Sequence, residues 1–235
     1  MEYLRWGRET KGLYGTVGAV LRGGEVKWTN EATGRTIEIY NEDCMPALEK
    51  MQENEFDLAI VDPPYGIGDK FKGGKSGKIQ FNEIVEKEWD KKPTEKYFNI
   101  LFNKTSNQII WGGNYFGLPP TRCIIIWDKL ISEDFSLAMI EMAWTSFDKL
   151  AKLFRYSQKP GKIHPIQKPI KLYKWLLKNY AKENDRILDT HLGSGSIAIA
   201  CWEMGFDLVG YELDEDYFKA TCKRLDDHFN QQSLF

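Results

Sequence analysis

The chain has 235 residues, enough for one large domain with its own core, and is 42% hydrophobic, 14% aromatic and 28% charged, which excludes disorder, collagen-like repeats and low complexity for its bulk. No run approaches 18 consecutive apolar residues and the opening MEYLRWGRETKG lacks the basic-then-apolar layout of a signal peptide, so a cytoplasmic protein without a membrane partner is expected. Net charge is −2, yet Lys149 to Lys182 holds ten Lys or Arg and no acid, leaving the remainder of the chain at −12.

In chain order, residues 1–36 carry Gly12, Gly15, Gly18, Gly23 and Gly24 and are expected to form an appendage to a catalytic domain spanning 37–235. Ile37–Tyr40 predicts a strand, Pro46–Met51 a helix, and Phe56–Val61 (FDLAIV) a strand buried on both faces. The Gly- and Lys-rich stretch 66–92 is longer than ordinary loops and predicts a mobile segment that serves binding. A helix over Thr94–Ser106 follows, then strands at Gln108–Trp111, Cys123–Trp127 and Ala138–Thr145. Pro169 opens a helix that buries Ile170, Tyr173, Leu176, Leu177 and Tyr180. Arg186–Asp189 and Leu208–Tyr211 predict strands around a helix Gly195–Met204 stopped by Gly205, and Asp216–Phe229 closes the chain as a helix. This alternation gives a doubly wound α/β class, a mainly parallel sheet with helices on both faces. Cys44, Cys123, Cys201 and Cys222 are too dispersed for a zinc site or a disulfide framework, and His164 beside Pro165 suits a turn better than a ligand, so no metal is expected.

Two constellations carry chemistry. In Ile187-Leu-Asp189-Thr-His191-Leu-Gly193-Ser-Gly195-Ser196 an apolar strand ends in an acid and runs through a Gly-rich turn into a helix, which lets backbone amides approach a ligand at the carboxyl edge of a sheet. After the next strand, Glu212 stands where it can accept two hydrogen bonds from a ribose diol. Together they point to an adenosine-containing cofactor; a plain turn with a surface Glu is the alternative, and no dinucleotide or ATP phosphate cradle is present. The second constellation, Asp62-Pro63-Pro64-Tyr65, follows the buried strand directly. Its two prolines lack N–H groups, its carboxylate accepts, and its aromatic ring stacks, a complement to an amine on a flat base or else a simple strand-terminating turn.

DPPY after a strand, a DxxxGSG turn, an acid at the next strand end and His164-Pro165-Ile166-Gln167-Lys168-Pro169 between them resemble the β-group of S-adenosylmethionine-dependent DNA amino methyltransferases, over Ile37 to Phe229. The resemblance implies a Rossmann-like methyltransferase sheet with one antiparallel strand and a methyl transfer from S-adenosylmethionine to a flipped base in DNA. It implies that Asp62 and the Pro63 carbonyl hold the target amine, with Pro64 fixing the path and Tyr65 stacking on the base. Asp43 would contact the cofactor's adenine, Asp189, Gly193 and Gly195 its methionine side near Asp62, Glu212 its ribose and Lys168 its carboxylate. The family commonly has Pro-Phe where this chain has Thr190-His191, so the packing beside that acid departs from the pattern and His191 is given no catalytic role.

A DNA substrate gives the basic residues a task. Lys70, Lys72, Lys75 and Lys78 in the loop, and Lys152, Arg155, Lys159 and Lys162 in the basic block, are the expected phosphate contacts, a solvated face being the alternative. Only Asp148–Ile163 separates the last catalytic strand from the HPIQKP segment, too short for a target-recognition domain. Recognition would then fall to loops, to residues 1–36, or to a homodimer or second subunit. DPPY favours adenine N6, whereas SPPY is commoner among cytosine-N4 enzymes; an RNA or protein methyltransferase and a silent nucleic-acid-binding subunit remain alternatives.

Overall fold

The computed structural model describes residues 20–22, 24–66, 91–133, 138–157 and 167–232. Strands β1 (Val20–Arg22), β2 (Glu25–Thr29), β3 (Thr36–Tyr40), β4 (Phe56–Val61), β5 (Thr105–Trp111), β6 (Ile124–Asp128), β7 (Ile140–Thr145), β8 (Lys152–Arg155), β9 (Arg186–Asp189) and β10 (Asp207–Tyr211) form one sheet in the order β1-β2-β3-β10-β9-β4-β5-β7-β6-β8. Helices α1 (Cys44–Lys50), α2 (Glu95–Lys104), α3 (Ile170–Tyr180), α4 (Ser196–Met204) and α5 (Glu215–Gln232) are the α-helices among the described residues.

From β3 to β6 the sheet is parallel except for β7, which runs antiparallel to both β5 and β6. The expected Rossmann-like class therefore holds. The chain lays down β3, β4 and β5 first and returns much later to insert β9 and β10 between β3 and β4. Leu58 and Ala59 of β4 then pair with Ile187 and Leu188 of β9, so the turns after β4 and β9 share one carboxyl edge. That edge is where open α/β sheets bind ligands.

Burial follows the sequence pattern. In β4 every residue but Asp57 is buried, the signature of a strand covered on both faces. Every residue of α4 from Ser196 to Trp202 is buried, as expected for a helix apolar all round. It ends at Gly205, whose φ of 75° is the left-handed conformation that stops helices. Two apolar clusters sandwich the sheet, one under α3, α4 and α5 and the other under α1 and α2.

Residues 20–22 and 24–36 contribute to the sheet. β2 pairs antiparallel with β3, and β1 pairs antiparallel with β2, extending the sheet by two strands. Val26 and Trp28 alternate with half-exposed neighbours, and Trp28 packs edge-on against Phe229 while its Nε1 donates to Asp226 of α5 (2.6 Å). At the opposite edge, β8 joins β6 in parallel from inside the basic block, where the sequence predicts no strand.

Candidate active site

Asp62 leaves β4 as a half-buried carboxylate, beside a buried Pro63. Its Oδ1 accepts from the Tyr65 hydroxyl (2.6 Å), and its Oδ2 is paired with the Lys168 ammonium. Lys168 is itself buried, lies 5.1 Å from the centre of the Trp111 ring, and makes a second ion pair with Glu141 of β7 (3.0 Å), which also binds Lys129 (2.6 Å). Burial works against charge on Lys168, but the carboxylates of Asp62 and Glu141 outweigh it and lift its pKa above the usual lysine range. For Glu141 burial is likewise outweighed, by Lys168 and Lys129, and its carboxyl stays below the usual range. Lys168, expected at a cofactor carboxylate, stands against Asp62.

The Tyr65 ring is fixed from two directions. It stacks on Tyr115 with centroids 5.0 Å apart and planes 17° off parallel, and meets Phe116 edge-on. It also lies on the backbone of Gly112, where a Cβ would come to 2.6 Å from Cδ1 and 2.7 Å from Cζ and closer still to Cε1, so the added carbon would sit over the ring. Gly112, with φ of 66°, ends β5 and opens a short 3₁₀ turn that carries Tyr115, whose ring is 41% exposed at the mouth of the site. Burial, then the charge of Asp62, pushes the Tyr65 hydroxyl well above its ordinary pKa, so it serves as a donor.

The Gly-rich turn lies at the neighbouring strand tip. Gly193 (φ 52°) and Gly195 (φ 70°) both take left-handed conformations. A Cβ on Gly195 would meet Thr221 Cγ2 at 2.6 Å, so α5 packs on the bare backbone there, whereas a Cβ on Gly193 would find nothing nearer than the His191 carbonyl at 4.0 Å. Gly193 thus faces open room. Glu212 accepts from Gly193 N with Oε2 (2.9 Å) and from Asp214 N with Oε1 (2.9 Å), tying the turn to the end of β10. Each oxygen keeps acceptor capacity for a ligand, and burial raises the carboxyl above its usual range. Arg224 of α5 donates to Ser194 O (2.5 Å) and Ser196 Oγ (3.1 Å), bracing the turn from the other side.

Asp189 is buried, accepts from His191 N (3.0 Å), and has its pKa pushed up to about 8, chiefly by burial. Thr190 and His191 have their own packing: the Tyr97 hydroxyl meets Thr190 Oγ1 (2.6 Å), which meets His191 Nδ1 (2.9 Å). Burial lowers the His191 pKa to about 4, leaving the ring neutral. Asp43 is exposed and caps α1, its carboxylate accepting from Met45 N (2.9 Å), at the tip of β3 beyond β10.

Of the predicted phosphate contacts, Lys152 and Arg155 lie among the described residues. Lys70, Lys72, Lys75, Lys78, Lys159 and Lys162 lie outside the described residues, as do most of the 66–92 loop and His164 to Ile166. Lys149 and Lys152 donate to Asn179 at the end of α3. At 1.5 Å per residue that is about 15 Å from Pro169, next to Lys168, where the helix begins beside Asp62. Arg155 instead pairs with Asp128 (3.2 Å) where β6 and β8 end. Sequence reasoning missed Glu141, Lys129, Gly112, Tyr115 and Arg224; a signal existed only for Glu141, the single acid in the apolar strand Ile140–Thr145.

Residues 125–223 match the N6/N4 methyltransferase family model, described as DNA methylase. The type II methyltransferase M.HpaI of Haemophilus parainfluenzae is 25% identical over 80% of this chain and 73% of its own length. Over residues 125–223 the chain is similar to the N6/N4 amino methyltransferases. The family takes its methyl group from S-adenosylmethionine. Among solved structures, the fold resembles that of M1.HpyAVI in complex with S-adenosylmethionine (TM-score 0.55, 17% identity, 80% of this chain and 99% of that one). It also resembles the cytosine-N4-specific PvuII DNA methyltransferase (TM-score 0.57, 13% identity, 84% and 92%). Lys168, Asp189 to Ser196 and Glu212 of this chain lie inside the family match, and Asp62 lies before it. Among the described residues no helix is long and apolar enough to cross a membrane, and no group of His, Cys, Asp and Glu could hold a metal ion.

Proposed function

We propose that this chain methylates the exocyclic amine of a base in DNA, adenine N6 by preference, with S-adenosylmethionine as donor. The observation that carries the reading is the adjacency at one sheet edge of the Asp62-Pro63-Pro64-Tyr65 segment and the Gly193–Gly195 turn, brought together by the pairing of β4 with β9. The residues fit the cofactor: Gly193 leaves the room a side chain would fill, Glu212 offers fixed acceptors suited to a ribose diol, and buried Asp189 borders the same turn. Bound there, S-adenosylmethionine supplies an electrophilic methyl group on a charged sulfur.

The protein's part is to place the amine. The lone pair of a base's NH₂ is delocalised into the ring, and two acceptors aimed at its two N–H bonds turn that lone pair outward. The Asp62 carboxylate is one acceptor, since ionised oxygens provide about four lone-pair sites and Tyr65 and Lys168 occupy only part of them. The Pro63 carbonyl is the other. Tyr65 is covered by Gly112 and Tyr115, so the exposed ring of Tyr115 is the aromatic platform at the mouth, and stacking of this type is worth about 1–3 kcal/mol per base against an extrusion cost of a few kcal/mol. Positioning alone accounts for about 7–11 kcal/mol of barrier in well-oriented reactions.

The preference for adenine rests on Asp62 in the tetrapeptide. Incubating the protein with S-adenosylmethionine and duplex DNA, then digesting to nucleosides for mass spectrometry, tests it: N6-methyladenine supports the reading, N4-methylcytosine replaces adenine by cytosine, and methylation confined to RNA or protein refutes a DNA substrate. Asp62→Ala should abolish transfer while leaving cofactor affinity within a few-fold.

A further inference from the structure

A carboxylate largely withdrawn from water is costly unless opposite charge matches it. Glu141 sits in β7 opposite the buried Trp127, and is held by Lys129 through Oε1 and by Lys168 through Oε2. Oε2 has no hydrogen bond of good geometry to fall back on, so the Lys168 ammonium is its support. Lys168 in turn reaches Asp62. Four charges therefore alternate in a row, Lys129, Glu141, Lys168 and Asp62, and the last is the most exposed of them.

The order matters for an amine acceptor. An ammonium serving Asp62 alone would draw that carboxylate wholly to itself in a site of low polarity, where opposite charges attract strongly. An ammonium divided between two carboxylates holds Asp62 in place and leaves it lone pairs to give. We propose that Glu141 is a positioning residue for the methyl transfer: acting through Lys168, it sets how firmly the Asp62 carboxylate is gripped, and so how readily that carboxylate accepts a base's amine. The proposal rests on Asp62 being the amine acceptor.

The test is a cycle of Glu141→Gln, Lys168→Met and the double variant, measured as single-turnover transfer of labelled methyl to duplex DNA, with cofactor affinity by calorimetry. Glu141→Gln should slow transfer about tenfold with cofactor affinity and the KM for DNA within about threefold, and should add less than about twofold in the Lys168→Met background. An equal loss in both backgrounds gives Glu141 a general structural role and overturns the proposal, as does no loss in the wild-type background or an undetectable rate in Lys168→Met. Should Glu141→Gln fail to fold by circular dichroism, Glu141→Asp keeps the charge and withdraws it by one methylene; a loss of at least about threefold that vanishes in Lys168→Met supports the relay, and wild-type rate overturns it. If the wild-type protein itself transfers no methyl to DNA, the assignment of Asp62 fails rather than the relay.

Discussion

Gly112→Ala strikes the site without adding or removing a charge. The new Cβ would lie 2.6–2.7 Å from Cδ1 and Cζ of Tyr65, whereas carbon atoms pack at about 3.5–4.0 Å, so the ring must retreat by about 1 Å. Tyr115 blocks part of that retreat, and the 2.6 Å hydrogen bond from Tyr65 to Asp62 breaks. A misplacement of that size costs about 100-fold in rate in well-positioned reactions. A side chain at φ of 66° adds about 1–2 kcal/mol of backbone strain, or about 2–8 °C in Tm for a chain of this size. Single-turnover methylation should therefore fall about 100-fold while calorimetric affinity for S-adenosylmethionine stays within twofold. Gly34→Ala is the control, because Gly34 has the same handedness (φ 71°) and nothing within 4 Å of its missing Cβ. It should lower Tm and leave the rate alone. A Gly112→Ala protein with transfer within threefold of wild type would show that Tyr65 placement does not govern the reaction.

Glu212→Ala removes the acceptor of Gly193 N and Asp214 N, and at about 1.5–3 kcal/mol per bond to a charged group it should weaken cofactor binding at least about tenfold in a calorimetric titration; unchanged affinity would count against Glu212 as a cofactor residue. Asp189, with its pKa pushed to about 8 by burial, holds a proton in the folded state that the unfolded chain releases near pH 4, so stability is highest below that pH and falls as pH rises toward 8. Urea midpoints across that window should show the decline, and Asp189→Asn should flatten it. DNA affinity should weaken with salt, and Arg155→Ala should reduce the slope of log K against log salt by about 1, whereas Lys149→Ala with Lys152→Ala should leave it unchanged because both cations sit at the far end of α3; anisotropy at several salt concentrations distinguishes these.

What could be read from the residues was the part written in periodicity and turn chemistry. FDLAIV and RILD announce buried strands, Gly205 announces a helix end, and the Gly-rich turn after Asp189 sits where its spacing placed it. The alternation in Glu25–Thr29 was also present, but with glycines on its flank it reads as a loop until β3 is seen pairing with it. β8 is only four residues long and half of them are basic, so charge hid the strand. The basic run was misleading in a second way. Counting cations cannot separate Lys168, buried and doubly ion-paired, from Lys152, which lies over the Trp175 and Tyr180 rings, or from Lys174, paired with Glu203. Which carboxylate a lysine meets depends on strand order, and β7 stands two strands from β4 only because the antiparallel strand is inserted between β5 and β6.

The seam between β4 and β9 has a consequence for ancestry. Methyl donor and methyl acceptor are assigned to two half-sheets that touch through ordinary backbone ladder bonds, which are indifferent to side chains and to which half is translated first. A gene could therefore be cut and rejoined with its halves in reverse order and still build the same reaction chamber. In such a lineage the order of motifs along the polypeptide records genetic history, while the handshake of two strands preserves the chemistry.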